Sequence, residues 1–226
     1  MKKLSLAISA LLLCCSVHTK AQTTQPASSS KGSETGSFES FQSGSLIVSA
    51  AWGIDGYSLK QHQVNNYTGK TYDTNTGAAS RNFNIGAEYG VTKWLGLGLQ
   101  FKFDNYYHDY NIQSALGFEL GIIANAHIIR HRHFDLLAGI NVGGSNLTIT
   151  GNYNNDQIYG SGTWFDMHLT ARIYIRRFGF SSTIYIPYIN YSTLTSNVGA
   201  FNQYILESWK ANGVGINFGI QYHFLK

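Results

Sequence analysis

Four charged residues, Glu88, Lys102, Glu119 and Arg172, stand in stretches that are otherwise apolar or rich in glycine. Ions in such surroundings either pair with one another or line a path for a polar solute, because a lone charge away from water is strongly disfavoured. Three histidines, His127, His168 and His223, occupy comparable positions. Three imidazoles can in principle hold zinc, but these lie on separate segments with no local ligand pair. The spacing therefore predicts imidazoles satisfied by neighbouring polar groups, with no metal and no other cofactor. A fourth group, Arg130, His131, Arg132 and His133, is a compact basic turn suited to lipid phosphates.

These residues are positioned by segments with a period of two, the repeat of a β-strand rather than a helix. From Asn82 to Val91, Phe83, Ile85, Ala87, Tyr89 and Val91 alternate with Asn82, Asn84, Gly86, Glu88 and Gly90. From Leu95 to Asp104, leucines and phenylalanines alternate with Gly96, Gly98, Gln100, Lys102 and Asp104. Only Thr92, Lys93 and Trp94 separate the two, so they form a hairpin. The same alternation recurs from Leu46 to Asp55, Leu116 to Ile128, Asp135 to Gly143, Phe165 to Arg176, Phe180 to Ile186 and Gly213 to Phe224. Glu119, His127, His168, Arg172 and His223 all fall on the polar faces of these segments.

Eight strands joined by links of alternating length describe an up-and-down meander. Short turns fall near Lys93, Arg132 and Arg177, and long loops are expected over 56–81, 105–113, 145–162 and 190–212. Short turns on one rim and long loops on the other are the pattern of outer-membrane barrels. Alternation alone does not say which face is enclosed; the contents of the polar face do. It carries Gly86, Gly90, Gly96, Gly98, Gly117, Gly121, Gly139 and Gly143 among a few long polar residues. Glycine weakens a solvent-facing strand, whereas a narrow eight-stranded lumen needs small residues beside large ones. The apolar faces carry no charge for strand after strand, as lipid requires. The expected fold is thus all-β, an eight-stranded antiparallel up-and-down transmembrane β-barrel, closed because an open edge in hydrocarbon would leave backbone groups unpaired. Aromatics at the strand ends, Trp52, Trp94, Phe134, Trp164, Phe178, Tyr222 and Phe224, are assigned to the two membrane interfaces.

Residues 1–21 read as a secretory signal: Lys2 and Lys3, an apolar run from Leu4 to Val17, and a cut before Gln22. Both cysteines, Cys14 and Cys15, leave with it. Removing Lys2, Lys3 and Lys20 takes the formal charge from +4 to +1, which argues against nucleic acid as a partner. Residues 22–43, rich in Ser, Thr and Gly, read as a flexible periplasmic leader, and 44–226 as the barrel.

From about Gly44 to Lys226 the chain resembles the small outer-membrane barrels of the OmpA/OmpX type. The terminal run Asn217 to Phe224 resembles the aromatic strand that hands such proteins to the barrel-assembly machinery, although Leu225 and Lys226 follow the last aromatic. The resemblance implies an integral outer-membrane location, outer-membrane lipids as partners, both termini in the periplasm and four loops outside. Some small barrels are lipid-remodelling enzymes. No His-x-Ser occurs here, and His108, Asp109 and Ser114 only match the residue types of a triad, so no enzymatic activity is expected. Two functions stay open: a structural or surface-interaction protein with a plugged polar lumen, meeting an extracellular partner through its Tyr- and Asn-rich loops, or a narrow channel for small solutes.

Overall fold

The computed structural model describes residues 40–65, 67–107, 112–151, 157–196 and 204–224. Eight strands follow in order: β1 (Leu46–Asn65), β2 (Thr71–Gly90), β3 (Leu95–Tyr106), β4 (Ile112–His131), β5 (Phe134–Gly151), β6 (Gln157–Ile175), β7 (Phe178–Ser196) and β8 (Tyr204–Phe224). Each pairs antiparallel with its sequence neighbour, and β8 pairs with β1 to close the barrel.

The register sets the shape. Followed once round through paired residues, Val48 leads to Ala87, Leu99, Ile122, Val142, Phe165, Tyr188 and Asn212, and returns to β1 at Ser58, ten residues past its start. A stagger of that size, with about 3.3 Å rise per residue and about 4.8 Å between strands, tilts the strands by about 40° to the barrel axis. At eight strands such a barrel is only wide enough to be filled by side chains.

The two faces separate as alternation predicts. Trp52, Ile54, Phe83, Ile85, Ile122, Met167, Ile184, Phe218 and Ile220 are exposed on the outside, while Glu88, Lys102, Asp104 and Glu119 are buried within. Along β8 the outward residues are apolar from Phe224 to Val214, ten residues, or about 25 Å of height at that tilt. That matches the hydrocarbon-facing band of an outer-membrane barrel.

Three expectations need correction. The long loops are mostly ladder: β1 and β2 stay paired as far as Val64 and Thr71, and β5 and β6 as far as Thr150 and Gln157. Above the apolar band the outward residues turn polar, as at Lys60 and Lys210, while Leu59 and Trp209 pack inward, so the contrast of an apolar outer face with a polar inner one is lost although backbone pairing continues. The leader does not end at residue 43 as a free segment. Ser40 and Phe41 are fully buried, and Gly44 N donates to Gly90 O at 2.8 Å, seating 40–44 in the short-turn mouth. Gly90 permits this approach, since a Cβ there would lie 2.3 Å from the carbonyl oxygen of Gln42. Lastly, Trp164 is not at the interface; it is fully buried inside the barrel. Phe165 and Met167 face outward, so Trp164 shares the inward parity of Asp166 and His168.

Candidate functional site in the barrel interior

The interior is layered. Towards the long-hairpin rim lies a cluster of Tyr57, Tyr106, Trp164, Ile189, Tyr191 and Trp209, with Leu59 and Leu147 packed into it. The rings of Tyr106 and Trp209 are 5.6 Å apart, and those of Tyr191 and Trp209 5.5 Å. These residues come from β1, β3, β5, β6, β7 and β8, so the layer exists only once the ring is closed.

Below it sits the first ion cluster. Lys102 Nζ on β3 donates to Asp55 Oδ2 on β1 at 2.9 Å and lies 3.0 Å from Asp104 Oδ2. Tyr57 OH donates to Asp55 Oδ2 at 2.8 Å, Tyr185 OH donates to Asp55 Oδ1, and Ser80 Oγ is 2.8 Å from Asp104 Oδ1. Glu119 is the cross-strand partner of Lys102, yet its Oε1 instead accepts from Ser145 Oγ at 3.2 Å.

A second cluster lies towards the short-turn rim. Arg172 donates to Glu88 Oε2 at 2.7 Å, with Asp135 Oδ2 3.6 Å from its other terminal nitrogen. His127 bridges the same two acids: Nε2 faces Glu88 Oε1 and Nδ1 faces Asp135, each at 2.9 Å. Only a ring protonated on both nitrogens donates to both. Phe41 stacks on this imidazole, centroids 3.4 Å apart and planes 12° apart.

The structure thus divides Glu88, Lys102, Glu119 and Arg172 between two clusters and adds Asp55, Asp104 and Asp135 to them. All three aspartates lie on the polar face by parity, which was the available signal. The histidines are likewise kept apart. His168 sits between Asp166 Oδ1 at 3.1 Å and Asn125 Oδ1 at 2.9 Å, and His223 is buried near Tyr174, with ring centroids 6.1 Å apart. The Asp166–His168 pair has the form of an acid-oriented imidazole, but its far nitrogen meets the amide oxygen of Asn125 rather than a hydroxyl or thiol. Among the described residues no group of three or more His, Cys, Asp or Glu side chains is placed to hold a metal ion. His108 and Asp109 lie outside the described residues; Ser114 is in β4.

Between the two clusters a cavity of about 80 Å³ remains, lined among others by Asn84, Gln100, Asn125, Asn141, His168 and Gln221. That is room for two or three waters at roughly 30 Å³ each. Of the aromatics expected at the membrane interfaces, Trp52, Trp94, Phe178 and Phe224 are exposed, and Phe178 meets Tyr222 edge-on at 5.0 Å. Phe134 and Tyr222 are half-buried.

A closed eight-stranded ring with charge inside and an apolar band outside defines an integral bacterial outer-membrane β-barrel. No family model matches the sequence, and comparison with curated proteins returns no match. Among solved structures the chain resembles Neisserial surface protein A, with 9% identity, 80% of this chain and 98% of that chain covered, and a TM-score of 0.53. It also resembles the outer membrane protein OprG of Pseudomonas aeruginosa, with 8% identity, 82% and 98% covered, and a TM-score of 0.54. At such identities the likeness is one of fold.

Proposed function

We propose that this barrel is a structural or surface-interaction protein, closed to solutes, whose long-hairpin rim faces the cell exterior and whose short turns and termini face the periplasm. The reading is carried by the filling of the interior from one rim to the other: the aromatic layer around Trp164 and Trp209, two ion clusters, and Phe41. It is supported also by the reach of the hairpins. β1 runs eleven residues past Ile54, the last large outward apolar residue on that strand, and so rises about 28 Å above it at the strand tilt. That projecting ladder exposes Tyr72, Asp73, Thr74 and Asn75, residue types that suit adaptable polar recognition by an extracellular partner. Delivery by the barrel-assembly machinery is assigned to the aromatic end of β8, Phe218 to Phe224.

Planar-bilayer recording tests the closure. The mature chain should show no steady openings. Openings whose size changes when Lys102 or Arg172 is replaced would overturn this reading in favour of a narrow channel for small solutes, the function that the polar cavity between the clusters would then serve.

A further inference from the structure

We infer that the outer wall of the barrel carries a binding site for one phosphorylated, acylated lipid of the outer leaflet, with an acyl chain held against β7, β8, β1 and β2 and a phosphate held by Lys60 and Lys210. Two independent features meet there.

The first is a groove of about 510 Å³ at the top of the apolar band. Ile184, Val214 and Ile216 form one side, Tyr107 the other, and Gly56 and Ala79 the floor. The floor is low because the side chains are small: a Cβ built on Gly56 meets nothing within 4 Å. A cleft of that shape on a lipid-facing wall suits a hydrocarbon chain. Arg81 flanks it, donating through Nε to Tyr107 OH, with its guanidinium 5.1 Å from the centre of that ring.

The second feature is the pair of lysines above the groove. Lys60 and Lys210 are direct cross-strand partners on β1 and β8, both exposed on the outward face. Like charges placed opposite each other destabilise a sheet unless something anionic lies between them. Among the described residues neither lysine has a carboxylate partner within salt-bridge distance. The nearby acids are taken by His62, whose Nδ1 is 2.7 Å from Asp73 and whose Nε2 is 3.8 Å from Glu207. The depth also fits. Lys210 is four residues above Val214, hence about 10 Å above the apolar band, within reach of a headgroup phosphate for a flexible side chain. Cations at this level and an apolar cleft beneath them match the order of groups in a phosphorylated glycolipid: phosphate at the headgroup, acyl chains below.

The site rests on the orientation proposed above, which is checked separately. The mature chain lacks cysteine, so Lys70→Cys in intact cells should react with a membrane-impermeant maleimide; failure to react would reject the orientation without touching the binding data. Binding is measured on the folded, detergent-solubilised barrel by native mass spectrometry, titrating diphosphoryl lipid A, an uncharged diacylglycerol and inorganic phosphate. Lipid A should remain bound while the other two do not. Lys60→Gln with Lys210→Gln should weaken retention about thirtyfold at low salt, the effect of two lysines facing a phosphate surface. Gly56→Leu, which fills the groove, should weaken it independently. Both variants are outward-facing, and heat-shifted electrophoretic mobility reports that they fold. Unchanged lipid A retention in both variants overturns the proposal, as does equal retention of diacylglycerol. Retention of inorganic phosphate at the same concentrations would make this a free-anion site and overturn the lipid assignment.

Discussion

Replacing Lys102 by methionine tests whether the barrel interior excludes water. The substitution keeps the length of the side chain and removes its charge. Lys102 is 1% exposed, and the side chains of Asp55 and Asp104, which it joins at 2.9 and 3.0 Å, are 0% exposed. Two acids on β1 and β3 are then left without their cation. Breaking a buried ion pair from one side costs about 3 to 5 kcal/mol, because the remaining charge keeps its desolvation penalty and loses its attraction. Tyr57, Tyr185 and Ser80 still face the carboxylates, which places the loss near the middle of that range, about 4 kcal/mol. With a urea dependence of about 2 to 3 kcal/mol per molar, the unfolding midpoint in micelles should fall by about 1.3 to 2 M. Adding Asp55→Asn and Asp104→Asn removes the orphaned charge while keeping acceptors for the tyrosines, so the triple variant should recover to within about 1 kcal/mol of the parent. A Lys102→Met barrel as stable as the parent would refute the argument. Water would then reach the carboxylates, and an interior closed to solutes would no longer follow.

Three further outcomes are expected. Phe41→Ala should cost about 3 to 5 kcal/mol, as for other buried aromatics, yet leave bilayers without steady openings, because the layer of Trp164, Tyr191 and Trp209 is untouched; steady openings would show that Phe41 alone closes the lumen. Gly143→Val should yield no compact, heat-modifiable species on electrophoresis, since a Cβ there would lie 2.0 Å from the carbonyl oxygen of Leu120, whereas Gly144→Ala, with nothing within 4 Å, should fold normally. In single-tryptophan variants, brominated lipids should quench Trp52 strongly and Trp164 weakly; equal quenching would contradict the inward placement of Trp164.

The strands were legible where lipid meets one face and a packed lumen the other. From Asn82 to Val91 and Leu95 to Asp104 each residue's polarity reports its own burial, so the period of two is unbroken. Between Lys60 and Asn75 it disappears, since both faces of the β1–β2 ladder are polar, and only the backbone registers that pairing. For Trp164, parity with Asp166 and His168 signals the interior while nearness to a strand end suggests the interface, and the packed lumen decides for parity. Phe41 left no signal: two phenylalanines, Phe38 and Phe41, in a Ser- and Gly-rich stretch without an apolar period say nothing about a barrel mouth.

The amino-acid sequence by itself determined which side chains face in, which face out, and where the membrane band lies, because alternation is a local property of a strand between two solvents. Which charges meet inside was decided only by closure. Lys102 faces Glu119 across one ladder, but its ammonium bonds Asp55 two strands away, and Tyr185 reaches the same aspartate from β7. Those meetings follow from a ten-residue stagger accumulated over eight interfaces, a sum that no single segment of the chain contains.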